Sequence, residues 1–245
     1  MKKYEHVIII PARFKSSRFP GKPLVIINGK SMIERVWERC CLAVSKDIVF
    51  VATDDDRIAN HCQELGIQII MTSENCLTGT DRLFDASKQI DATTYINVQG
   101  DEPLLDPKDI TDVIEQSKLT PNNIVNAMCV IESENDFRSS TVPKVVTRPD
   151  GRLLYMSRAA IPTSKSLDFK SAYKQVCIYA FPKSSLKDYS SVDEKTPLEN
   201  IEDIEILRFL ELGYEVNMIE VSSSSIAVDI PEDVSRVEDA LNESS

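Results

Sequence analysis

The stretch HVIIIPARFKSSRFPGKP, residues 6–23, runs from an apolar segment, Val7 to Ile10, into a loop carrying Arg13, Lys15, Arg18 and Lys22 within ten residues. A run of β-branched residues with no polar alternation marks a strand covered on both faces. Ile48-Val-Phe-Val-Ala52, Gln68-Ile-Ile-Met71 and Tyr95-Ile-Asn-Val98 read the same way. Between them lie helical segments. Ser31 with Glu34 forms a capping-box signature before Ile33, Val36, Trp37, Cys40 and Val44, which recur at helical spacing. Arg57 to Leu65 ends at Gly66, Asp81 to Ile90 follows, and Pro107 to Leu119 starts behind Asp106 as N-cap. Strand and helix alternate four times, which predicts an α/β fold: a mostly parallel, Rossmann-like sheet with helices on both faces.

After a strand-like Ile124 to Val130 the rhythm breaks. Lys144 to Thr147 and Leu153 to Met156 flank Pro149-Asp-Gly151 and predict a β-hairpin. Residues 162–174 are polar and read as loop, Val176 to Phe181 as a strand, and Leu198 to Leu212 as one helix ending at Gly213. Val216 to Val221 reads as a strand, and Pro231 opens a last helix through Leu241. The expectation is one α/β domain over residues 1–245 with a mixed β insertion.

The chain of 245 residues is long enough to bury roughly three quarters of the surface its unfolded form exposes. With 28 basic and 39 acidic residues the formal charge is −11, so binding to nucleic acid or to an anionic membrane surface is not expected. The apolar runs are far shorter than a membrane span. The N-terminus shows no cleavage-site pattern. None of the six cysteines stands in a C-x-x-C pair and four lie in apolar segments, which reads as reduced thiols of a cytoplasmic protein. His6 and His61 are the only histidines, too few for a His-rich metal site.

In an open α/β sheet, ligands bind beyond the carboxyl ends of the strands. The loop after the first strand joins four cations to Ser16, Ser17 and Gly21, a combination suited to a polyphosphate, although neither the dinucleotide fingerprint nor a P-loop is present. Gln99-Gly-Asp-Glu-Pro103 places Asp101 and Glu102 where a carboxylate can hold Mg²⁺ against phosphate oxygens. Asp229, in Val228-Asp-Ile-Pro231, reads first as an acid at a helix start, and Thr53-Asp-Asp-Asp56 is open to the same reading.

The motifs PARFKSSRFPGKPL, VATDDDRI, TGTDRL, INVQGDEP, LLYMSRAAIP, IYAF, PLENIEDIEILR and VDIPED stand in one order between Val7 and Leu241. The chain thereby resembles the 3-deoxy-manno-octulosonate cytidylyltransferase (CMP-Kdo synthetase) family. The resemblance implies a nucleotidyltransferase fold and the reaction of CTP with a 3-deoxy-ulosonic acid, giving a CMP-sugar and pyrophosphate with Mg²⁺ as cofactor. It implies a nucleotide-binding half of about residues 1–130, an insertion of about 132–175 that serves a homodimer, and a sugar-binding and C-terminal part of about 176–245. By motif position Arg13, Arg18 and Lys22 hold the triphosphate, and Ala12, Ser17, Thr78 and Gly79 complete the nucleotide site. Arg82, Gln99, Arg158, Gln175, Tyr179, Glu205 and Ile206 face the acceptor. Lys22, Asp101 and Asp229 are the catalytic set, and the two aspartates are the metal ligands. Two positions depart from the family: Gln175 replaces a usual histidine, and Ile206 a usual glutamine. An amino-substituted Kdo such as an 8-amino form, or another nonulosonic acid, is therefore an alternative acceptor. A silent nucleotide-binding paralogue is the non-enzymatic alternative.

Overall fold

The computed structural model describes residues 3–16, 19–192, 194–222 and 226–243. In chain order the elements are β1 (Lys3–Ala12), β2 (Ile26–Ile27), β3 (Lys30–Ser31), α1 (Met32–Ala43), β4 (Val49–Thr53), α2 (Asp56–Glu64), β5 (Gln68–Met71), α3 (Gly79–Ser87), β6 (Asp91–Val98) and α4 (Pro107–Leu119). They continue as β7 (Ile124–Val130), α5 (Glu134–Arg138), β8 (Lys144–Thr147), β9 (Leu153–Ser157), β10 (Tyr173–Pro182), α6 (Lys183–Tyr189), α7 (Pro197–Glu202), α8 (Ile206–Glu211), β11 (Val216–Glu220) and α9 (Asp233–Glu243). The chain forms two compact units, residues 1–111 with 224–245, and residues 112–223.

In the first unit four parallel strands lie in the order β6-β1-β4-β5. The fully buried Val7, Ile8, Ile9 and Ile10 of β1 confirm a strand covered on both faces. The chain winds outward from β1 to β5 and then returns past β1 to β6, so the winding direction reverses between β1 and β6. In sheets of this kind the crevice outside that reversal is where a ligand sits. The two positions after β6 face different helices: Gln99 packs against Gly79 of α3, whereas a Cβ on Gly100 would meet Ile33 of α1 at 3.7 Å. Helices therefore cover both faces, as the alternation predicts. The Ser31 hydroxyl accepts from the Glu34 N–H at α1 and meets His61 Nε2 of α2 at 2.8 Å, tying these two helices together. The C-terminal helix belongs to this unit: Val237 of α9 packs with Ile27, Met32 and Val228.

In the second unit β11 runs parallel to β7, and β10 runs antiparallel to β7 on its other side. The predicted hairpin is present as β8 and β9, with Gly151 at φ 83° in its turn. A small cluster of Ile131, Phe137 and Ala172 closes under Phe169, whose ring stacks on Phe137 at 4.8 Å.

Two details differ from the sequence reading. The helix expected over Leu198 to Leu212 is two helices, α7 and α8, broken at Asp203, which takes the left-handed conformation at φ 52°. The cause is a buried ion pair: Glu199 and Arg208, each 1% exposed, meet through Nε–Oε2 at 2.6 Å and Nη2–Oε1 at 2.9 Å. Nine residues along a straight helix are about 13 Å apart, too far for that contact. The last helix begins at Asp233 rather than Pro231, because the Asp233 carboxylate first accepts from the Asp229 and Ile230 N–H groups.

Candidate functional site

β1 ends at Ala12 and β6 at Val98, so the loops that follow them meet where the sheet reverses. The first loop is closed by the Gly21 N–H, which donates to Phe14 O at 2.9 Å. Gly21 has φ 73°, a left-handed conformation that glycine adopts without Cβ strain. That turn opens the short 3₁₀ helix Lys22–Leu24 and fixes the backbone of Lys22. Its ammonium then reaches three oxygens: Asp101 Oδ2 at 3.1 Å, the Val228 carbonyl at 2.9 Å and Asp229 Oδ1 at 3.8 Å. The Val228 N–H donates to Asp101 O at 2.9 Å, which holds the two acid-bearing segments against each other. Three residues 79 to 207 positions apart in sequence thus come together, and Asp229, read from local sequence as a helix-start acid, joins Asp101 instead.

Asp101 Oδ1 is buried and accepts no hydrogen bond among the described residues. Among those residues no group of three or more His, Cys, Asp or Glu side chains is placed to hold a metal ion. A cation here would share its coordination shell between two carboxylates and the oxygens of a ligand or water.

Within the same loop an open pocket of about 540 Å³ is lined by Arg13, Phe14, Lys15, Ser16 and Pro20. Arg13 is exposed, and the Arg57 guanidinium covers the Phe14 ring at 3.3 Å from its centroid. Ser17 and Arg18, expected at the triphosphate, lie outside the described residues. Lys15 is 82% exposed, with only a loose pairing to Glu74 at 3.7 Å.

Thr78 caps α3 in a capping box with Asp81. Gly79 packs under Gln99: a Cβ on it would lie 2.9 Å from Gln99 Nε2 and 3.4 Å from Pro11 Cγ. These contacts join Gly79, expected at the nucleotide, to Gln99, expected at the acceptor. Arg82 is 3% exposed, donates to Thr72 Oγ1 at 2.6 Å and faces Asp54 Oδ1 at 3.0 Å, an ion pair whose angle does not make a hydrogen bond. The three acids after β4 also separate: Asp54 pairs with Arg82, while Asp55 is the N-cap of α2 and accepts from the Arg57 N–H. The hydrogen bonds and charge of Arg57 hold the Asp55 carboxyl below its usual pKa.

The second unit holds the remaining expected acceptor residues. Gln175 donates from Nε2 to Asn126 Oδ1 at 2.9 Å. Asn126 is fully buried and donates its own amide to Val176 O and Ile178 O, across the irregularity where β10 shifts register against β7. Because both Asn126 donors are used, its oxygen must accept, and this fixes the orientation of the Gln175 amide. Arg158 donates to the carbonyls of Ser140, Glu202 and Asp203, and its N–H to the Glu202 carboxylate. Burial pushes the Glu202 carboxyl up, but hydrogen bonds from Arg158, Ser157 and Tyr155 outweigh it and the pKa falls below the usual value. Beside it, the fully buried Lys144 donates to Ser139 O, Val142 O and Arg158 O, each at 2.7 Å. Tyr179 is 4% exposed and stacks on Phe181. Glu205 stands at the N-cap of α8, and Ile206 behind it is 1% exposed. Asn126 and Glu202 were not singled out from sequence, and Asp54 stood only within Thr53-Asp-Asp-Asp56. A lone amide inside the apolar run Ile124-Val-Asn-Ala-Met-Cys-Val130 was the available signal for the first.

A cation-bearing loop and a carboxylate pair stand at the reversal of a doubly wound sheet, and the match to a family model for cytidylyltransferases makes the class a nucleotidyltransferase. The cytidylyltransferase family model matches residues 7–220, and the chain belongs to that family. It is 40% identical over 240 residues to the mitochondrial 3-deoxy-manno-octulosonate cytidylyltransferase of Arabidopsis thaliana, covering 96% of this chain and 82% of that protein. It is 37% identical to the 8-amino-3,8-dideoxy-manno-octulosonate cytidylyltransferase of Shewanella amazonensis, with 96% and 97% covered. A solved structure of CMP:2-keto-3-deoxy-manno-octonic acid synthetase complexed with CTP superposes with a TM-score of 0.89 at 34% identity, covering 98% of this chain and all of that one. The resemblance read from the eight motifs is borne out.

Proposed function

We propose that this protein transfers CMP from CTP to the anomeric hydroxyl of 3-deoxy-D-manno-octulosonate, releasing pyrophosphate. The observation that carries the reading is the meeting of Lys22, Asp101 and Asp229 at the sheet reversal, on the loop whose earlier residues, Arg13 among them, line an open pocket. In the transfer, the acceptor oxygen bonds to the α-phosphorus as the bond to the pyrophosphate oxygen breaks, and the hydroxyl proton leaves to solvent. Arg13 and Lys22 neutralise the triphosphate and hold it for in-line attack, which is where positioning contributes most to phosphoryl and nucleotidyl chemistry. Gln99, seated on Gly79, orients the acceptor beside the nucleotide.

The donor set suits Mg²⁺: hard carboxylate oxygens, one of them buried and without a hydrogen bond, and too few protein ligands to complete a shell without phosphate and water. Asp101 and Asp229 would hold the ion, which when bound lowers the pKa of a coordinated hydroxyl and offsets charge on the phosphates. This requires no histidine base. By the same reading the protein acts in the cytoplasm as a homodimer through residues 132–175. Among the described residues no helix is long and apolar enough to cross a membrane.

A second reading, an 8-amino acceptor, has its own support. The Shewanella relative is named for that substrate. The Gln175 amide, with one N–H committed to Asn126, keeps its oxygen to accept from an amino or hydroxyl donor. The test is pyrophosphate release from CTP with a panel of acceptors. Highest kcat/KM with Kdo supports the main reading, highest kcat/KM with the 8-amino acid supports the second, and no release with any acceptor overturns both.

A further inference from the structure

Lys22 touches the carboxylates themselves. Its ammonium lies 3.1 Å from Asp101 Oδ2 and 3.8 Å from Asp229 Oδ1, with the Val228 carbonyl at 2.9 Å as a third, uncharged anchor. The side chain is only 19% exposed, so this is a held position. A lysine ammonium and a divalent cation compete for the same carboxylate pair: a cation bound between the two aspartates would stand against a positive charge already within hydrogen-bonding distance of Asp101 Oδ2. The backbone of Lys22 is fixed by Gly21 and Pro23, but its four-carbon stem is flexible, and the pocket bearing Arg13 and Lys15 borders the same loop. A triphosphate in that pocket is an alternative counter-charge for the ammonium.

We infer that Lys22 gates the carboxylate pair: it keeps Asp101 and Asp229 together and charge-compensated, and yields their oxygens to the divalent cation only when nucleotide phosphates draw the ammonium away. Lys22 is then a positioning residue that orders nucleotide before cation, besides contacting the phosphates. This rests on the proposed metal role of the two aspartates. Asp101 Oδ1, buried without a hydrogen bond, is consistent with a carboxylate that the ammonium serves on one oxygen alone.

The test measures Mn²⁺ affinity of the nucleotide-free full chain, from the electron paramagnetic resonance signal of the free ion. Lys22→Met and Lys22→Gln are each expected to bind Mn²⁺ at least tenfold more tightly than wild type. Lys15→Met, which removes an equal charge from the same loop, is expected to change affinity less than threefold. Adding Asp101→Asn to Lys22→Met is expected to abolish the gain. If both folded Lys22 variants bind Mn²⁺ no more tightly than wild type, the gate is refuted. A gain matched by Lys15→Met refutes it too, since the effect would be a diffuse field. The metal role is tested separately by Asp101→Asn in the wild-type background: full Mg²⁺-dependent turnover there would overturn that role and the gate with it, whereas lost turnover with unchanged Mn²⁺ affinity in the Lys22 variants would overturn the gate alone.

Discussion

Replacing Glu199 by glutamine tests the contact that breaks the long helix. The carboxylate accepts from Arg208 Nε at 2.6 Å and Nη2 at 2.9 Å, from the Tyr189 hydroxyl at 3.2 Å and from the Thr196 N–H at 3.1 Å. Arg208 also lies over the Tyr189 ring, 3.8 Å from its centroid. A glutamine retains the shape but presents an NH₂ to one of these donors and removes the Glu199 charge from a guanidinium that is 1% exposed. Breaking a buried pair from one side costs about 3–5 kcal/mol. For a chain of this length that is a fall of roughly 6–20 °C in Tm. Glu199→Gln with Arg208→Met removes both charges, and the double variant is expected to lose less than the sum of the single ones by about 2 kcal/mol or more. Urea unfolding followed by far-ultraviolet circular dichroism measures this from the midpoints, provided the slopes are unchanged. A Glu199→Gln loss below about 1 kcal/mol, or strict additivity of the two changes, would refute the assignment of the break to this pair.

Three further outcomes follow from particular contacts. Gly79→Ala sets a methyl 2.9 Å from the end of the Gln99 side chain, which can move, so kcat/KM is expected to fall about tenfold while Tm stays within about 2 °C; a large Tm loss with normal turnover would speak against Gln99 as a site residue. The Glu202 pKa is lowered in the fold, so its stabilisation is fully present above the unfolded glutamate value of about 4.3 and is lost as pH falls through the lower folded value. Glu202→Gln is therefore expected to destabilise at neutral pH and to approach wild-type stability as pH drops below about 4, and a pH-independent difference between their urea midpoints would contradict this. Gln175→His preserves a donor for Asn126 Oδ1 and is expected to fold normally, whereas Ile206→Gln buries an amide at a site 1% exposed and is expected to cost about 1–3 kcal/mol unless a partner is at hand. Improved kcat/KM for Kdo in the double variant would mark both positions as acceptor contacts, and harm would show that the two departures are compensated within this chain.

The parallel sheet was readable because its strands are unbroken apolar runs, a signal carried by single residues. The strand starts were less so: β1 begins at Lys3 and β6 at Asp91, in segments whose exposure alternates and whose polar residues hide the pairing. The break at Asp203 had no local mark, since neither glycine nor proline stands there and the apolar spacing runs on through it. It is set by Glu199 and Arg208, which pair across it from nine residues apart. The small hairpin of β2 and β3 turns at Asn28 and Gly29, both with positive φ, but strands of two residues have no period to read. In the site, Asp101 was legible as an acid at the end of a buried strand. The metal-site reading of Asp229 needed the eight ordered motifs, because its local sequence is that of a helix start and its neighbours in space are far off in the chain. The Arg82–Asp54 pair and the Asn126 support of Gln175 depend on strand register, which single-sequence patterns do not carry.

The most direct test is Mg²⁺-dependent pyrophosphate release from CTP and Kdo by Asp101→Asn and Asp229→Asn, each checked for an unchanged circular dichroism spectrum. If these two carboxylates and Lys22 form the reacting centre of a cytidylyltransferase, each change lowers turnover by about two powers of ten or more while Tm stays near that of wild type. Near-normal turnover in either folded variant would remove that residue from the centre and contradict the proposed site.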